Sequence, residues 1–346
     1  MLSTHPIPKL HGAEPENLLR DSHGRVIRDL RVSITDRCNY RCVYCRTGEG
    51  GAQYAELATE EYLRLIRVFV SLGINKLRLT GGEPLLRTDL PAMLRELALL
   101  RTPNNEPLDL ALTTNGHLLA GLAQTLVDSG LQRVTVSMDA VDAPTFDRIT
   151  RVPGSHGKVL AGIRAAQAAG LGPVKVNCVL LRGFNDDQIL PFAHFARAEG
   201  VIVRFIEFMP LEEGRLWTPA IVVSHDEILQ RISQELPLLR LTPSAAGETA
   251  RRYGFADGQG EIGIIAPVTQ AFCGACSRIR LTSDGKIRTC LFSHREHDLA
   301  GHLRRGASDE DLQAWIRQVV HTKEARHHIG EPGFHKPSRS MVHIGG

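Results

Sequence analysis

Residues 30–45 read LRVSITDRCNYRCVYC, in which a short apolar strand leads directly into three closely spaced cysteines, Cys38, Cys42 and Cys45. Thiolates are the usual protein ligands of iron-sulfur clusters, and these three would converge from one compact loop at the carboxyl end of a strand. A structural zinc site normally closes with four ligands, and no fourth His or Cys follows closely here. A cubane cluster with three protein ligands leaves one iron open, so this stretch predicts a catalytic 4Fe-4S cluster and an enzyme.

The pattern of this first strand recurs five more times before residue 210. Short β-branched or apolar runs alternate with stretches of helical spacing that end in glycine, which predicts repeated strand-helix units and a parallel sheet. The six strand candidates are LRVSI, KLRLTGG, LDLALTTNG, RVTVSMD, VKVNCVLL and VIVRFIEFM. Six such units without a dinucleotide-binding fingerprint predict an α/β fold, a partial (βα)6 TIM-like barrel with its chemistry at the carboxyl ends of the strands.

The composition restricts the classes of function. The chain has 346 residues, with 41 basic and 38 acidic side chains and a net charge of +3, which argues against coating nucleic acid or an anionic membrane. The N-terminus lacks the apolar core of a signal peptide, and no apolar run approaches the about 20 residues of a membrane span, so we expect a soluble cytoplasmic protein. Seven cysteines in a reducing compartment favour metal binding over disulfides. Cys178, which stands alone in VKVNCVLL, is expected to be a small buried hydrophobe.

A second feature, LTGGEP at residues 79–84, ends the second strand candidate. Its two glycines would let the backbone approach a ligand closely, and Glu83 offers a carboxylate to an ammonium group. Taken alone, such a segment is more often an ordinary turn between a strand and a helix. Its position one strand after the cysteine loop favours a ligand-binding role.

A second cysteine group lies in FCGACSRIRLTSDGKIRTCLF at residues 272–292, which supplies Cys273, Cys276 and Cys290 without a neighbouring fourth cysteine. Electron-transfer clusters usually take four cysteines, so this triplet predicts a second 4Fe-4S cluster whose open iron holds a substrate. Arg278 and Arg280 alternate on one strand face between these ligands, and guanidinium groups suit phosphate. The alternative is a pair of solvated arginines on an exposed strand.

The strand-helix pattern breaks after Pro210. A helix is expected near residues 224–236 and a hairpin in YGFADGQGEIGIIAP, before the second triplet. We therefore expect an N-terminal extension (residues 1–29), the partial barrel (30–210), and a C-terminal domain (211–346) that carries the second cluster and ends in Gly345-Gly346.

The C-x3-C-x2-C spacing, with Tyr44 before the last cysteine, resembles the signature of radical S-adenosylmethionine enzymes, and LTGGEP resembles their GGE motif. Taken with LTTNG, VSMDA, VKVN, GFND, RFIEFMP, CSRIRLTSDG and the terminal Gly-Gly, almost the whole chain after residue 29 resembles the GTP 3′,8-cyclases of molybdenum cofactor biosynthesis. That family has two 4Fe-4S clusters.

The resemblance implies S-adenosylmethionine on the N-terminal cluster and GTP on the C-terminal one. The 5′-deoxyadenosyl radical would take hydrogen from ribose C3′, and C3′ would attack guanine C8 to give 3′,8-cyclo-7,8-dihydroguanosine 5′-triphosphate. An unidentified electron donor would supply the electron, and cyclic pyranopterin monophosphate synthase would consume the product. A homodimer is possible for such a chain, and neither nucleic acid nor a membrane is expected as a partner.

The resemblance also implies a set of site residues. The S-adenosylmethionine contacts would be Tyr44, Gly82, Ser137 and Met209. The GTP contacts would be Arg31, Arg78, Thr113, Lys175, Arg278 and Arg280, of which Arg31, Arg278 and Arg280 would be catalytic.

Each of these side chains also has a simpler interpretation. Arg31, Arg78 and Lys175 lie in strands that a barrel would bury, where each could pair with a barrel carboxylate instead of a triphosphate. Without the resemblance, Ser137 and Thr113 would be helix caps or turn formers, and Met209 would be simple core.

Two further features of the sequence bear on this assignment. Arg46-Thr47 follows the third cysteine where the family usually reads Met-Pro, which could alter the loop beside the adenine. The Gly-Gly tail would reach into the active site, and the alternative is a frayed terminus.

Two other functions stay open at the level of sequence. One is a radical enzyme with an auxiliary cluster that modifies a peptide or a sulfatase, although such enzymes usually bring more C-terminal cysteines. The other is a non-catalytic iron-sulfur electron carrier, which would require fully ligated clusters.

Overall fold

The computed structural model describes residues 18–46, 53–214, 216–245 and 247–345. The six predicted strands are present, parallel and in sequential order across one sheet. They are β1 (Asp29–Ser33), β2 (Lys76–Thr80), β3 (Asp109–Thr114), β4 (Arg133–Ser137), β5 (Lys175–Leu180) and β6 (Ile202–Glu207).

Six further strands from the C-terminal part extend the same sheet. They are β7 (Leu238–Arg240), β8 (Arg251–Phe255), β9 (Glu261–Ile265), β10 (Arg278–Leu281), β11 (Lys286–Arg288) and β12 (His297–Asp298). The strand order is β12-β11-β10-β1-β2-β3-β4-β5-β6-β9-β8-β7, with β10 parallel to β1 and β9 parallel to β6. The sheet therefore continues across residue 210, and the division of the chain at residues 29/30 and 210/211 stays a prediction.

Helices cover one face of the parallel strands. They are α1 (Thr59–Ser71), α2 (Leu90–Ala98), α3 (Leu119–Asp128), α4 (Ala143–Thr150), α5 (His156–Ala168), α6 (Ile189–Glu199), α7 (His225–Ser233), α8 (Leu299–Arg304) and α9 (Asp309–His321). A further short helix, α10 (Met341–Ile344), lies at the cavity, where Met341 and Val342 are part of the wall. The predicted helix near residues 224–236 is α7, and the predicted hairpin is the antiparallel pair β8–β9. None of the helices in the described ranges combines the length and the apolar character that crossing a bilayer requires.

Strand alternation separates the core from the interior of the barrel. In β1, Leu30 and Val32 are fully buried and belong to the same apolar core as Leu65 and Phe69 of α1. Arg31 lies between them in sequence, so its side chain points to the opposite face. The helices pack on the apolar face of the sheet, and the face that carries Arg31 lines a cavity.

The Gly-Gly turn after β2 packs against the segment that leads into the first cysteine loop. A Cβ on Gly82 would lie 2.2 Å from the carbonyl oxygen of Arg37, and one on Gly81 would lie 2.3 Å from that of Thr35. The Gly82 N–H donates to the Thr35 carbonyl at 2.8 Å, and the Glu83 N–H donates to the Arg37 carbonyl at 2.7 Å. The glycines therefore permit a close approach of backbone to backbone, which fixes the entrance of the cysteine loop on β2.

This contact predicts a large effect of a single methyl group. We expect Gly82→Ala to lower the free energy of unfolding by at least about 3 kcal/mol, because the clashing atom is backbone and cannot rotate away. Chemical denaturation measures the change. Gly121→Ala in α3 is the matched control, since a Cβ there meets nothing within 4 Å and alanine favours a helix interior by about 0.5–1 kcal/mol. Equal effects of the two substitutions would contradict the packing role of Gly82.

Candidate active site

A single cavity of about 420 Å³ opens inside the curled sheet. Residues of β1 to β6, β9 and β10 all line it, so the sheet curls around this space. The six cysteines and every S-adenosylmethionine or GTP contact that the resemblance implies are part of its wall. These residues are Arg31, Cys38, Cys42, Tyr44, Cys45, Arg78, Gly82, Thr113, Ser137, Lys175, Met209, Cys273, Cys276, Arg278, Arg280 and Cys290.

The two cysteine triplets lie at opposite ends of this cavity. The first triplet follows the carboxyl end of β1. In the second, Cys273 and Cys276 precede β10, whose first residue Arg278 pairs with Asp29 at the amino end of β1. Because β11 runs antiparallel to β10, Cys290 returns to that same end. The strands between the triplets therefore separate two sulfur-lined ends of one space.

The first triplet has the donor chemistry of an iron-sulfur site. Burial raises the pKa of Cys38 to about 11 and that of Cys45 to about 12, and it raises that of Cys42 well above the usual value. Such thiols lose their protons only to a strongly electrophilic centre. Within the described residues, no group of three His, Cys, Asp or Glu side chains is arranged to hold a single metal ion. A four-iron cluster is larger and accepts thiolates at its corners, so the three sulfurs fit it better than they fit a closed zinc site.

The second triplet lies among cations. The Arg278 guanidinium donates to the sulfur of Cys276 at 3.3 Å and stacks over the Phe272 ring at 5.1 Å. Burial alone would raise the pKa of the Cys276 thiol, but the charges of Arg278 and Lys323 outweigh it and lower that pKa. Arg25 donates to the Cys273 carbonyl at 2.9 Å and so attaches this loop to the N-terminal segment. This end of the cavity therefore favours a thiolate and a negatively charged ligand.

A row of cations crosses the cavity between the triplets. Arg280, Arg31 and Arg78 are direct cross-strand neighbours on β10, β1 and β2. Burial, the largest cause, lowers the pKa of Arg31 to about 10 and that of Lys175 to about 8. Like charges placed opposite one another destabilise a sheet. Their placement here is therefore typical of a site that binds a polyanion.

Carboxylates of the described residues line the cavity near this row without forming ion pairs with it. Asp29 and Asp109 are part of the wall, and the charge of Asp29 opposes the lowering of the Arg31 pKa by burial. Arg133 forms an ion pair with Asp109, with a guanidinium-to-oxygen contact of 2.8 Å. In the part of the chain that the structure describes, no carboxylate lies within ion-pairing distance of Arg31, Arg78 or Lys175. Arg78 instead donates to the hydroxyl groups of Thr113 and Thr135 at 3.2 and 3.3 Å. The alternative of ion pairs with barrel carboxylates is therefore wrong for these three cations.

Arg204 and Lys323 are among the cations of the cavity wall that the sequence analysis did not single out. Arg204 on β6 donates to the Asn177 side chain at 2.9 Å, and its burial lowers its pKa to about 9. It interrupts the apolar residues of VIVRFIEFM, which is the same signal that marked Arg31. Lys323 lines the second-triplet end and donates to the Thr289 carbonyl. No pattern in the sequence marked it, because it follows α9 and reaches the cavity only through the tertiary fold.

Tyr44, Ser137 and Met209, which the resemblance implies as S-adenosylmethionine contacts, lie in different local environments. The Tyr44 hydroxyl donates to Asp139 at 2.6 Å, and burial raises the pKa of this carboxyl to about 6. Ser137 is the last residue of β4, and Met209 packs at the edge of an apolar group that includes Leu211. All three residues line the cavity.

Glu83 does not face the cavity as the sequence suggested. Its carboxylate is fully buried and accepts hydrogen bonds from the Thr114 hydroxyl and the Asn115 N–H, both at 2.7 Å, and from the Leu85 N–H at 3.0 Å. The expectation that this carboxylate offers itself to an ammonium group stays a prediction. It ties the end of β2 to the end of β3.

The structure describes Arg46, which follows the third cysteine, and the C-terminal tail up to Gly345. Arg46 is buried, lines the cavity and donates to the Asp36 carbonyl at 3.4 Å, whereas Thr47 lies outside the described residues. Arg280 donates to the carbonyls of Ile344 and Gly345, and a Cβ on Gly345 would lie 2.9 Å from the Thr80 side chain. The tail is therefore folded against the barrel up to Gly345, and Gly346 lies outside the described residues.

Comparison with known proteins agrees with this arrangement of the site. The Radical SAM superfamily matches residues 32–196, and Molybdenum Cofactor Synthesis C matches residues 201–329. A GTP 3′,8-cyclase of Acidothermus cellulolyticus is 46% identical, over 87% of this chain and 84% of its own. One from Moorella thermoacetica is 43% identical, over 95% of this chain and all of its own. The chain belongs to the GTP 3′,8-cyclase family.

Solved structures support the fold of this family member. Streptococcus suis SuiB bound to S-adenosylmethionine aligns with a TM-score of 0.59 at 12% identity, over 87% of this chain and 69% of SuiB. At that identity the likeness concerns the fold alone. Together with the two family matches, it shows a mixed α/β radical S-adenosylmethionine fold with a C-terminal extension.

The buried cations of this cyclase-family chain predict a pH dependence of its stability. The pKa of Lys175 falls from 10.5 to about 8 on folding, so the unfolded chain binds more protons between these values and stability rises with pH there. Lys175→Met should stabilise the substrate-free chain by roughly 1–2 kcal/mol at pH 7, allowing for partial exposure of the lysine. This gain should shrink between pH 8 and 10.5.

Chemical denaturation of both chains at pH 7 and pH 10 measures the difference. Lys158→Met, at an exposed position on α5, provides the matched control. A stability gain of Lys175→Met that is equal at the two pH values would show that the buried charge is not the cause.

Proposed function

We propose that this chain converts GTP to 3′,8-cyclo-7,8-dihydroguanosine 5′-triphosphate, the first step of molybdenum cofactor biosynthesis, with S-adenosylmethionine as the second substrate. The observation that carries the proposal is one cavity with an incomplete cysteine triplet at each end and, between them, buried cations that form no ion pair within the described residues. Membership of the cyclase family supplies the reaction.

The cysteines divide into two proposed cluster sites. Cys38, Cys42 and Cys45 would hold one 4Fe-4S cluster with S-adenosylmethionine, and Cys273, Cys276 and Cys290 would hold the other with the guanine of GTP. When bound, the first cluster and S-adenosylmethionine supply a radical that abstracts hydrogen. On the protein side, we assign contacts with S-adenosylmethionine to Tyr44, Gly82, Ser137 and Met209.

The cationic row would bind the triphosphate. We assign this role to Arg31, Arg78, Lys175, Arg278 and Arg280, together with Thr113 and the newly found Arg204. Each charge-assisted hydrogen bond contributes about 1.5–3 kcal/mol, so two or three of them fix the nucleotide firmly. Arg278 and Arg280 follow Cys276 directly in sequence, and Arg31 pairs with Arg280 across the strands. We therefore propose these three arginines as the catalytic residues. The surrounding wall excludes water from the reacting ribose.

The two rival functions fit these observations less well. A peptide-modifying radical enzyme shares the fold, as SuiB does, but a row of unpaired cations inside the barrel suits a polyphosphate better than a peptide. A non-catalytic electron carrier would need closed clusters, and each triplet lacks a fourth cysteine.

The cellular setting is also part of the proposal. The enzyme would act in the cytoplasm and take electrons from an external donor, because reductive cleavage of S-adenosylmethionine consumes an electron. Cyclic pyranopterin monophosphate synthase would take up the cyclised nucleotide, and a homodimer would be compatible with the exposed strands at the sheet edges.

Anaerobic reconstitution followed by an activity assay tests the proposal. With reductant, S-adenosylmethionine and GTP, the protein should form 5′-deoxyadenosine and a cyclised nucleotide, and it should bind eight irons per chain under the two-cubane hypothesis. Cys38→Ala should bind about four irons and lose all turnover. Cys178→Ser is the matched control, because Cys178 is buried away from both triplets and its removal should leave about eight irons.

Loss of the second triplet should have a different effect. Cys273→Ala should keep the first cluster but form no cyclised nucleotide, since GTP would lose its site. Undiminished cyclisation by Cys273→Ala, or no consumption of GTP by the wild-type chain, would overturn the proposed function.

A further inference from the structure

His343 is a buried polar residue of the C-terminal tail that has no part in the function proposed above. It lies in α10, two residues before Gly345, and only 2% of its surface is exposed. One ring nitrogen, Nδ1, lies 3.7 Å from a carboxylate oxygen of Asp36, and the other, Nε2, lies 3.7 Å from one of Glu213. The imidazole thus stands between two carboxylates that come from distant parts of the chain.

Burial makes this arrangement energetically significant. Among the described residues, neither ring nitrogen of His343 has a hydrogen-bond partner, and one carboxylate oxygen of Asp36 is likewise buried without one. An imidazole carries a proton on at least one ring nitrogen in every protonation state, so it can donate to at least one of the two carboxylates. A small closure of these distances would form a charge-assisted hydrogen bond from the ring to Asp36 or to Glu213.

The two carboxylates belong to segments that border the cavity. Asp36 precedes the first cysteine loop, and the oxygen that lies 3.7 Å from His343, Oδ2, also accepts the N–H groups of Gln53 and Tyr54 at 2.7 and 3.0 Å. Glu213 follows shortly after Met209 in sequence. His343 therefore connects the tail both to the base of the first cysteine loop and to the segment after β6.

A second anchor lies four residues earlier in the tail. Arg339 donates to both oxygens of Asp284 at 2.9 and 2.8 Å, and its guanidinium lies 3.8 Å from the centre of the Tyr54 ring. The same tyrosine contacts the ring of His343 edge-on, with the ring centres 5.2 Å apart. Arg339 thus fixes where the tail enters, and His343 fixes the turn from which Ile344 and Gly345 reach Arg280.

We propose that His343 is the positioning residue of the tail: by bridging Asp36 and Glu213 it seats the carbonyls of Ile344 and Gly345 against Arg280. Its role differs from that of the terminal glycines, because it acts on the tail and does not touch the reacting atoms. The consequence for Arg280 depends on the proposed function, whereas the seating of the tail does not.

Hydrogen exchange of the full-length protein, followed by mass spectrometry of the peptide covering residues 336–346, tests the bridge directly. The reporting amides include that of Met341, which donates to the Leu211 carbonyl at 2.9 Å, and that of His343 itself. His343→Ala removes the ring, and His343→Phe keeps a ring for Tyr54 but removes both nitrogens. Both variants should speed exchange of the tail peptide by at least roughly tenfold, while peptides of β1 and β4 keep wild-type protection.

Three comparisons make the result decisive. His321→Ala, at the exposed end of α9, is the matched control and should match the wild type. Glu213→Gln should loosen the tail in the same direction as His343→Phe. The reconstituted His343→Phe protein should keep about eight irons but lose at least roughly tenfold in kcat/KM for GTP.

The outcomes separate this inference from the proposed function. Wild-type exchange in His343→Phe would show that the ring acts by packing alone and would overturn the bridge. Faster exchange with undiminished turnover would overturn its importance for Arg280. If the wild-type chain proved inactive on GTP while His343→Phe still loosened the tail, the proposed function would fail and the seating role would stand.

Discussion

The parallel pairing of β10 with β1 determines the form of the whole site. It places Arg280 beside Arg31 and carries Cys273 and Cys276 to the end of the sheet opposite the first cysteine loop. Without this pairing, the second triplet would have no fixed relation to the first, and the three neighbouring arginines would not form a row. One strand added to the edge of a six-stranded parallel sheet thus turns a barrel with one sulfur-lined end into a cavity with two.

This arrangement has an electrostatic cost that a ligand can offset. Buried cations that form no ion pair lose hydration and repel one another. Burial and the neighbouring positive charges therefore lower the pKa values of Arg31, Lys175 and Arg204. A bound triphosphate would offset this cost. The substrate-free protein is therefore less stable than it would be without these charges, and relief of their repulsion would contribute to the affinity for the triphosphate. The tail adds to the same end of the cavity, since its carbonyls accept from Arg280.

Much of this could be predicted from local patterns. The six strands follow from alternating apolar residues, and the cysteine loop and the charged residues inside apolar strands mark one face of the sheet. The pairing of β10 and β9 with the outer strands could not be predicted, because it depends on contacts between residues far apart in sequence. The hydrogen bonds of Glu83 could not be predicted, because its partners Thr114 and Asn115 come from the end of the next strand. His343 gave no signal because Asp36 and Glu213 approach it only in the folded chain.

The central claim is that GTP lies between the two triplets with its ribose exposed to the radical formed at the first. Turnover of GTP carrying deuterium at C3′ tests this most directly, with mass spectrometry of the 5′-deoxyadenosine formed. The predicted result is transfer of deuterium from C3′ into 5′-deoxyadenosine, with cyclised nucleotide formed in step. Unlabelled 5′-deoxyadenosine together with GTP that keeps its deuterium would contradict the claim.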